Sequence, residues 1–170
     1  LFTYTKNQPI PAKHRLLKLH EVIQINPKYQ CDQSKEYPFV EMAAINKETK
    51  LIDYLGGRKF NSGYGVFKND DVLFAHITPS TEHGKVTVAK DFTEIGLGST
   101  ELTVLKPKEI VDKDFLSYYV QTSTVRNFAV SQMEGSTGRQ RVPTKVFSKD
   151  LYILLPPLPE QKQIVSILSN

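Results

Sequence analysis

The chain has 170 residues, 39% of them hydrophobic, enough for one ordinary domain with one core, and no apolar run reaches the 18 or so residues of a membrane-spanning helix. A single cysteine, Cys31, excludes an internal disulfide and a cysteine-based zinc site and fits a reducing cytoplasm. The net charge of +4, from 22 basic against 18 acidic residues, suits a polyanionic partner without demanding one.

The start, Leu-Phe-Thr-Tyr-Thr-Lys-Asn-Gln-Pro, lacks the basic, apolar and small-residue order of a signal peptide and reads as part of a longer chain. Prolines at 9, 11, 27 and 38 leave room only for short elements such as Leu16 to Ile25. Phe39 to Ile45 is predicted as a strand. Leu55 to Gly65 is a glycine-rich loop carrying Arg58, Lys59, Phe60 and Tyr64. Val72 to Thr78, Lys85 to Ala89 and Thr100 to Leu105, rich in Val, Ile, Thr, Leu and Phe, are predicted strands separated by Pro, Gly or Asp turns.

At Asp112 the hydrophobic period changes from two to 3.6. Asp114 is a candidate cap for a helix with Phe115, Leu116, Tyr119 and Val120 on one face. Ser123 or Thr124 is the candidate cap of a second, with Val125, Phe128, Ala129 and Met133 together. These aromatic residues read as core positions, not base-stacking platforms. Directly afterwards comes Glu134-Gly-Ser-Thr-Gly-Arg-Gln-Arg-Val-Pro143, with too little hydrophobic mass to build a core. From Gly135 to Lys149 there are four cations and no acid, and two of the five arginines sit here. Another short element is expected from Pro143, and Leu151 to Leu155 reads as a buried strand. The last segment is a helix with Pro159 in its first turn, Glu160 near its positive end, and Ile164, Val165, Ile167 and Leu168 on a broad apolar face. That face implies a partner segment.

Enzyme chemistry finds little support. Asn26-Pro27-Lys28-Tyr29 resembles the Asn-Pro-Pro-Tyr motif of amino-methyltransferases, but lysine replaces the second proline and too little chain precedes it for a nucleotide-binding sheet; a plain turn before a strand is the better reading. Ile95-Gly-Leu-Gly98 lacks the third glycine of a dinucleotide fingerprint, and no phosphate-binding loop is present. Asp70, Asp71, Glu82 and Lys85 contain the residue types of a metal-dependent nuclease, yet they read better as a turn feeding a strand. The four histidines show no metal-ligand spacing, so no metal site is expected, and His76 within an apolar strand reads as a satisfied core or edge histidine.

Four stretches in order do carry a resemblance: Asp70-Asp-Val-Leu-Phe-Ala-His-Ile-Thr-Pro79 with Glu82-His-Gly-Lys85, Gly98-Ser-Thr-Glu101, Gly135-Ser-Thr-Gly-Arg-Gln-Arg-Val-Pro143, and Leu155-Pro-Pro-Leu-Pro-Glu-Gln-Lys-Gln-Ile164. Together they resemble a target recognition domain of a type I restriction-modification specificity subunit. Asp70 departs from a frequent glycine, and His76 from a frequent arginine. The resemblance implies an α+β fold with a twisted mixed or antiparallel sheet plus helices, residues 1–155 forming the recognition domain and 156–170 the start of a long conserved-region helix. It implies a non-catalytic subunit that reads one half of a bipartite double-stranded DNA target in the cytoplasm. The implied partners are modification subunits, restriction subunits, and a second recognition domain or second copy of the chain through the C-terminal helix. No cofactor is implied for this chain; S-adenosylmethionine, and ATP with magnesium, would belong to the partners.

The residues point the same way on chemical grounds. Arg139 and Arg141 each suit guanine O6 and N7, and Gln140 suits adenine N6 and N7. Ser136, Thr137 and the amides at Gly135 and Gly138 suit phosphates, which set register. Lys85, Arg58 and Lys59 are further candidates, and Tyr64 is placed to pack on a sugar. Two alternatives stay open for the loop: reading DNA, or holding the scaffold or phosphate backbone while the glycine-rich loop carries more of the specificity. Two remain for the whole: a specificity module of a fused restriction-methyltransferase enzyme, or a protein-interaction scaffold.

Overall fold

The computed structural model describes residues 9–53 and 55–169; the first eight residues of the expected recognition domain and Asn170 at the end of the expected helix lie outside them. Three sheets organise the chain. A ribbon pairs β1 (Arg15–Lys18) antiparallel with β10 (Tyr152–Leu155), joining an early and a late segment of the chain. A four-stranded antiparallel sheet runs β2 (Ile23–Ile25), β9 (Leu102–Pro107), β6 (Val72–Ala75), β7 (Val86–Val88). A mixed sheet runs β4 (Gly56–Lys59), β3 (Glu36–Val40), β8 (Gly96–Gly98), β5 (Gly65–Phe67), with β3 and β8 parallel.

The central strands explain their own composition. In β6, Val72 and Phe74 face the helices, while Leu73 and Ala75 face the mixed sheet; in β9, Leu105 takes the first side and Leu102 and Val104 the second. Period-two alternation with both faces covered makes β6 apolar throughout. Instead of the single core expected, two main layers form on opposite sides of this sheet. The helical layer is built from Leu19, Phe74, Phe115, Leu116, Tyr119, Phe147 and Ile153; the layer between the sheets is built from Val40, Ile45, Phe67, Ala89 and Phe92. Tyr37, Phe39, Ile95 and Leu97 form a smaller third cluster. Each fully buried Phe or Leu contributes roughly 1.5–3 kcal/mol.

On the helical side lie a single turn, α1 (Leu19–Val22), then α2 (Lys113–Gln121) and α3 (Ser123–Ser131), and a π-turn over Val146–Asp150. The caps sit earlier than expected. Asp112, not Asp114, accepts the Asp114 and Phe115 amides, and Thr122 accepts the Val125 amide, because each lies in non-helical backbone just before the first helical residue. The α4 helix (Leu158–Leu168) is set by Gln161, whose side chain is fully buried. It accepts the Asp112 amide at 2.8 Å and donates to Ile110 O at 3.0 Å and Pro156 O at 2.8 Å. A buried amide with all these bonds made fixes the angle at which α4 leaves the domain.

Two further expectations shift. The strand foreseen at Phe39 to Ile45 starts at Glu36 and gives way to a 3₁₀ turn over Met42–Ala44, because its partner β4 pairs Glu36 with Lys59 and Phe39 with Gly56. Half of the glycine-rich loop is therefore strand, and only its tip is a turn, with Tyr64 N–H donating to Asn61 O. No helix among the described residues is long and apolar enough to cross a membrane.

Candidate nucleic-acid interface

The basic loop is held by its backbone. Glu134 and Arg141 exchange N–H···O bonds of 2.9 and 2.8 Å, and Arg139 N–H donates to Ser136 O at 2.9 Å, closing a tight hairpin. Gly135 (φ +118°) and Gly138 (φ +81°) take backbone conformations that other residues rarely adopt, and a Cβ on Gly135 would stand 3.0 Å from Arg139 O. The hairpin is then pinned to the end of β6, with Thr78 N–H donating to Gln140 O at 3.0 Å and Val142 N–H to His76 O at 2.9 Å.

The side chains are left outward. Ser136, Thr137 and Arg139 are exposed, and they and Gln140 form no side-chain hydrogen bond among the described residues. Arg141 is half-exposed, with its guanidinium 3.7 Å from Glu101 Oε1, a weak pair in solvent. The scaffold role weighed for this loop therefore rests on peptide groups and glycines. Its arginine side chains add no buried bond.

Next to the hairpin lies a cleft of about 510 Å³, lined by Asn26, Pro27, Lys28, Tyr29, Phe60, Ser62 to Val66, His76, Thr100 and Leu102. His76 links the two: its carbonyl receives Val142, its N–H donates to Glu101 O at 3.0 Å, and Nδ1 lies 2.9 Å from Thr103 Oγ1. Burial, and then the Arg141 charge, push the imidazole down to about 4, so it is neutral near pH 7. Asn26 is a structural corner. Its N–H and Oδ1 clasp the Val104 carbonyl and amide at 2.7 and 2.9 Å, a use of the motif as a turn.

The other candidates separate. Tyr64 lines the cleft and packs on Phe39 at 4.8 Å between ring centroids, and the Arg58 guanidinium lies 5.3 Å from that same ring while pairing with Glu41 at 3.3 Å. Lys59 is exposed in β4. Lys85 is directed elsewhere, its ammonium donating to Met42 O at 2.9 Å. Asp71 is almost fully buried and accepts from the Tyr29 hydroxyl and the Lys68 amide, each at 2.9 Å, while Asp70 pairs with Lys113 and Glu82 accepts from Thr78. The acids weighed for a nuclease site are thus dispersed in structural contacts. No cluster of metal-ligating side chains occurs among the described residues.

Sequence reasoning passed over Lys28, Lys68, Lys106 and Tyr29. The Lys68 and Lys106 ammoniums lie 5.1 and 5.4 Å from the Tyr29 ring centroid. Only Asn-Pro-Lys-Tyr had drawn notice, and for another chemistry.

The α4 apolar residues divide. Ile164 and Val165 pack against the helical core, whereas Ile167 and Leu168 are 68% and 46% exposed. The broad outward face expected of all four is reduced to its last turn, because α4 lies along α2.

A family model described as Type I restriction modification DNA specificity domain matches residues 14–170. The EcoAI and EcoEI specificity subunits of Escherichia coli, type I restriction enzymes, are 31% and 30% identical over 86% and 95% of this chain. A putative type I restriction enzyme MjaX specificity subunit of Methanocaldococcus jannaschii is 32% identical over 99%. The chain spans 26%, 28% and 42% of these relatives' lengths. The fold is similar to the HsdS subunit of Thermoanaerobacter tengcongensis, with a TM-score of 0.76 at 20% identity over 96% of this chain and 43% of that one.

Proposed function

Since the chain belongs to the family of type I restriction-modification DNA specificity domains, we propose that it reads one half of a bipartite double-stranded DNA target. It does so by binding alone. Phosphate contacts set the register, and side chains of the basic hairpin and the neighbouring cleft select the half-site. The carrying observation is a hairpin closed and anchored by backbone bonds with the side chains of Arg139, Arg141, Ser136 and Thr137 exposed. Such a preorganised cationic edge loses little entropy on binding an anion.

In this reading the protein acts in the cytoplasm and is not itself an enzyme. Modification subunits bring S-adenosylmethionine, restriction subunits bring ATP and magnesium, and this domain directs both to a sequence. That its curated relatives are named specificity subunits favours this over a fused restriction-methyltransferase. The test is to exchange residues 1–155 into the specificity subunit of an active system and sequence the methylome. One half of the methylated motif is expected to change while the other stays, and methylation persisting with an unaltered motif would make the segment scaffold.

The end of α4 serves assembly, with Ile167 and Leu168 meeting a second recognition domain or a second copy of the chain. Changing both to aspartate in the full-length protein is expected to loosen that contact, seen as a lower mass in sedimentation or a more open particle in small-angle scattering. Unchanged mass and shape would remove the helix end from the interface. Aspartate at Ile164, by contrast, is expected to lower fold stability by about 2 kcal/mol or more, because that side chain packs inward.

A further inference from the structure

We propose that Lys28, Lys68 and Lys106, gathered around Tyr29, form a second phosphate-binding patch for duplex DNA at the Tyr29 end of the cleft. The inference rests on the DNA-reading function above and extends it to residues outside the motifs that carry the family resemblance.

The patch is built from one buried acid outward. Asp71, 2% exposed, accepts the Tyr29 hydroxyl and the Lys68 amide, so a single carboxylate fixes both the ring and the start of one lysine side chain. Burial pushes the Asp71 carboxyl above the usual range, opposed by those two hydrogen bonds and by the Lys106 charge. Burial and the nearby Asp71 push the Tyr29 hydroxyl upward too, so the phenol keeps its proton and donates it to Asp71. Lys68 and Lys106 then lie over the ring, and Lys28 precedes it in the chain.

Three other lysines sit against acids: Lys90 with Asp114, Lys113 with Asp70, Lys145 with Glu134. None of the trio at Tyr29 forms an ion pair among the described residues. Apart from buried Asp71, an acid shares this surface in exposed Glu94, which lines a depression together with Lys28, Tyr29 and Lys68. Three ammoniums against exposed Glu94 and buried Asp71 still leave a positive balance.

The chemistry selects a phosphodiester backbone over unpaired bases. Ammoniums are point charges that bind phosphate without reading sequence. Those of Lys68 and Lys106 also sit over the Tyr29 ring, the surface on which an unpaired base would stack. Because Lys28 and Tyr29 line the same cleft as Tyr64, His76 and Thr100, the patch is continuous with the proposed reading surface, which the basic hairpin borders through His76.

The experiment measures affinity of the full-length protein for a fluorescent duplex of scrambled sequence, about 30 base pairs long, across a salt series. Combining K28Q, K68Q and K106Q is expected to reduce the slope of log K against log salt by roughly 0.9 per lysine. Glu94→Gln is expected to do the opposite and tighten binding, a change that damage to the fold would not produce. If wild type binds, the triple variant keeps its slope and Glu94→Gln has no effect, the patch is overturned while the DNA-reading function stands. If wild type binds no duplex at all, the function and the patch fall together.

Discussion

Replacing both Arg139 and Arg141 with alanine is expected to weaken binding to the recognised half-site on the order of 100-fold while leaving thermal unfolding nearly unchanged. Each bidentate arginine–guanine contact carries roughly 1–3 kcal/mol of discrimination, and every 1.4 kcal/mol is about tenfold. The fold is insulated because the hairpin is tied by the amides and carbonyls of Glu134, Gln140, Arg141 and Val142, which alanine retains. Titrating cognate and scrambled duplexes across salt separates the two uses of these side chains. Loss concentrated on the cognate duplex identifies base readout. Equal loss on both, with a slope lower by roughly 0.9 per arginine, identifies phosphate contacts. Affinity unchanged at every salt concentration would remove the loop from the interface. Single variants are expected to differ, since Arg141 already has Glu101 at 3.7 Å and gives up part of that attraction on meeting DNA.

Gly96→Val is expected to destabilise the domain by about 3 kcal/mol or more, a large share of the roughly 5–15 kcal/mol that holds a typical domain together. An added Cβ would stand 2.3 Å from Phe67 Cζ and 2.9 Å from Phe92 Cε1. Neither ring has space to retreat. Phe67 is fully buried, and the two rings meet edge-on at 5.0 Å between centroids. Gly56→Ala supplies the control, since the nearest atom to its added Cβ is 3.8 Å away, and its cost is expected to stay below about 1 kcal/mol. Urea unfolding of both variants checks the pair, and equal midpoints for Gly96→Val and wild type would show that the layer between the sheets is looser than its packing.

Local pattern made much of this fold legible. Alternation in Val72 to Ala75 and Leu102 to Leu105, and the 3.6 period after Asp112, are set by side chains close in sequence, and those elements stand where they were expected within a few residues. The strand Gly96–Gly98 was not legible. Three residues carry no period, and it is a strand because Phe39 and Val40 pair on one side and Gly65 to Phe67 on the other. The caps were displaced for a related reason, in that several acids and hydroxyls near each helix start could serve and only the backbone geometry chose among them.

By itself the sequence determined the class of the domain, its family resemblance, and the cationic hairpin with its glycines, because these depend on residue identity over short spans. Tertiary structure alone decided which candidates remain open to a ligand. It turned Lys85 to the Met42 carbonyl, dispersed Asp70, Asp71 and Glu82 into unrelated contacts, and divided the α4 apolar residues between core and solvent. It also brought Lys68 and Lys106 from distant parts of the chain to Tyr29, beside that residue's neighbour Lys28. Charge proximity in space follows from strand pairing and burial at long range, and no spacing along the chain encodes it.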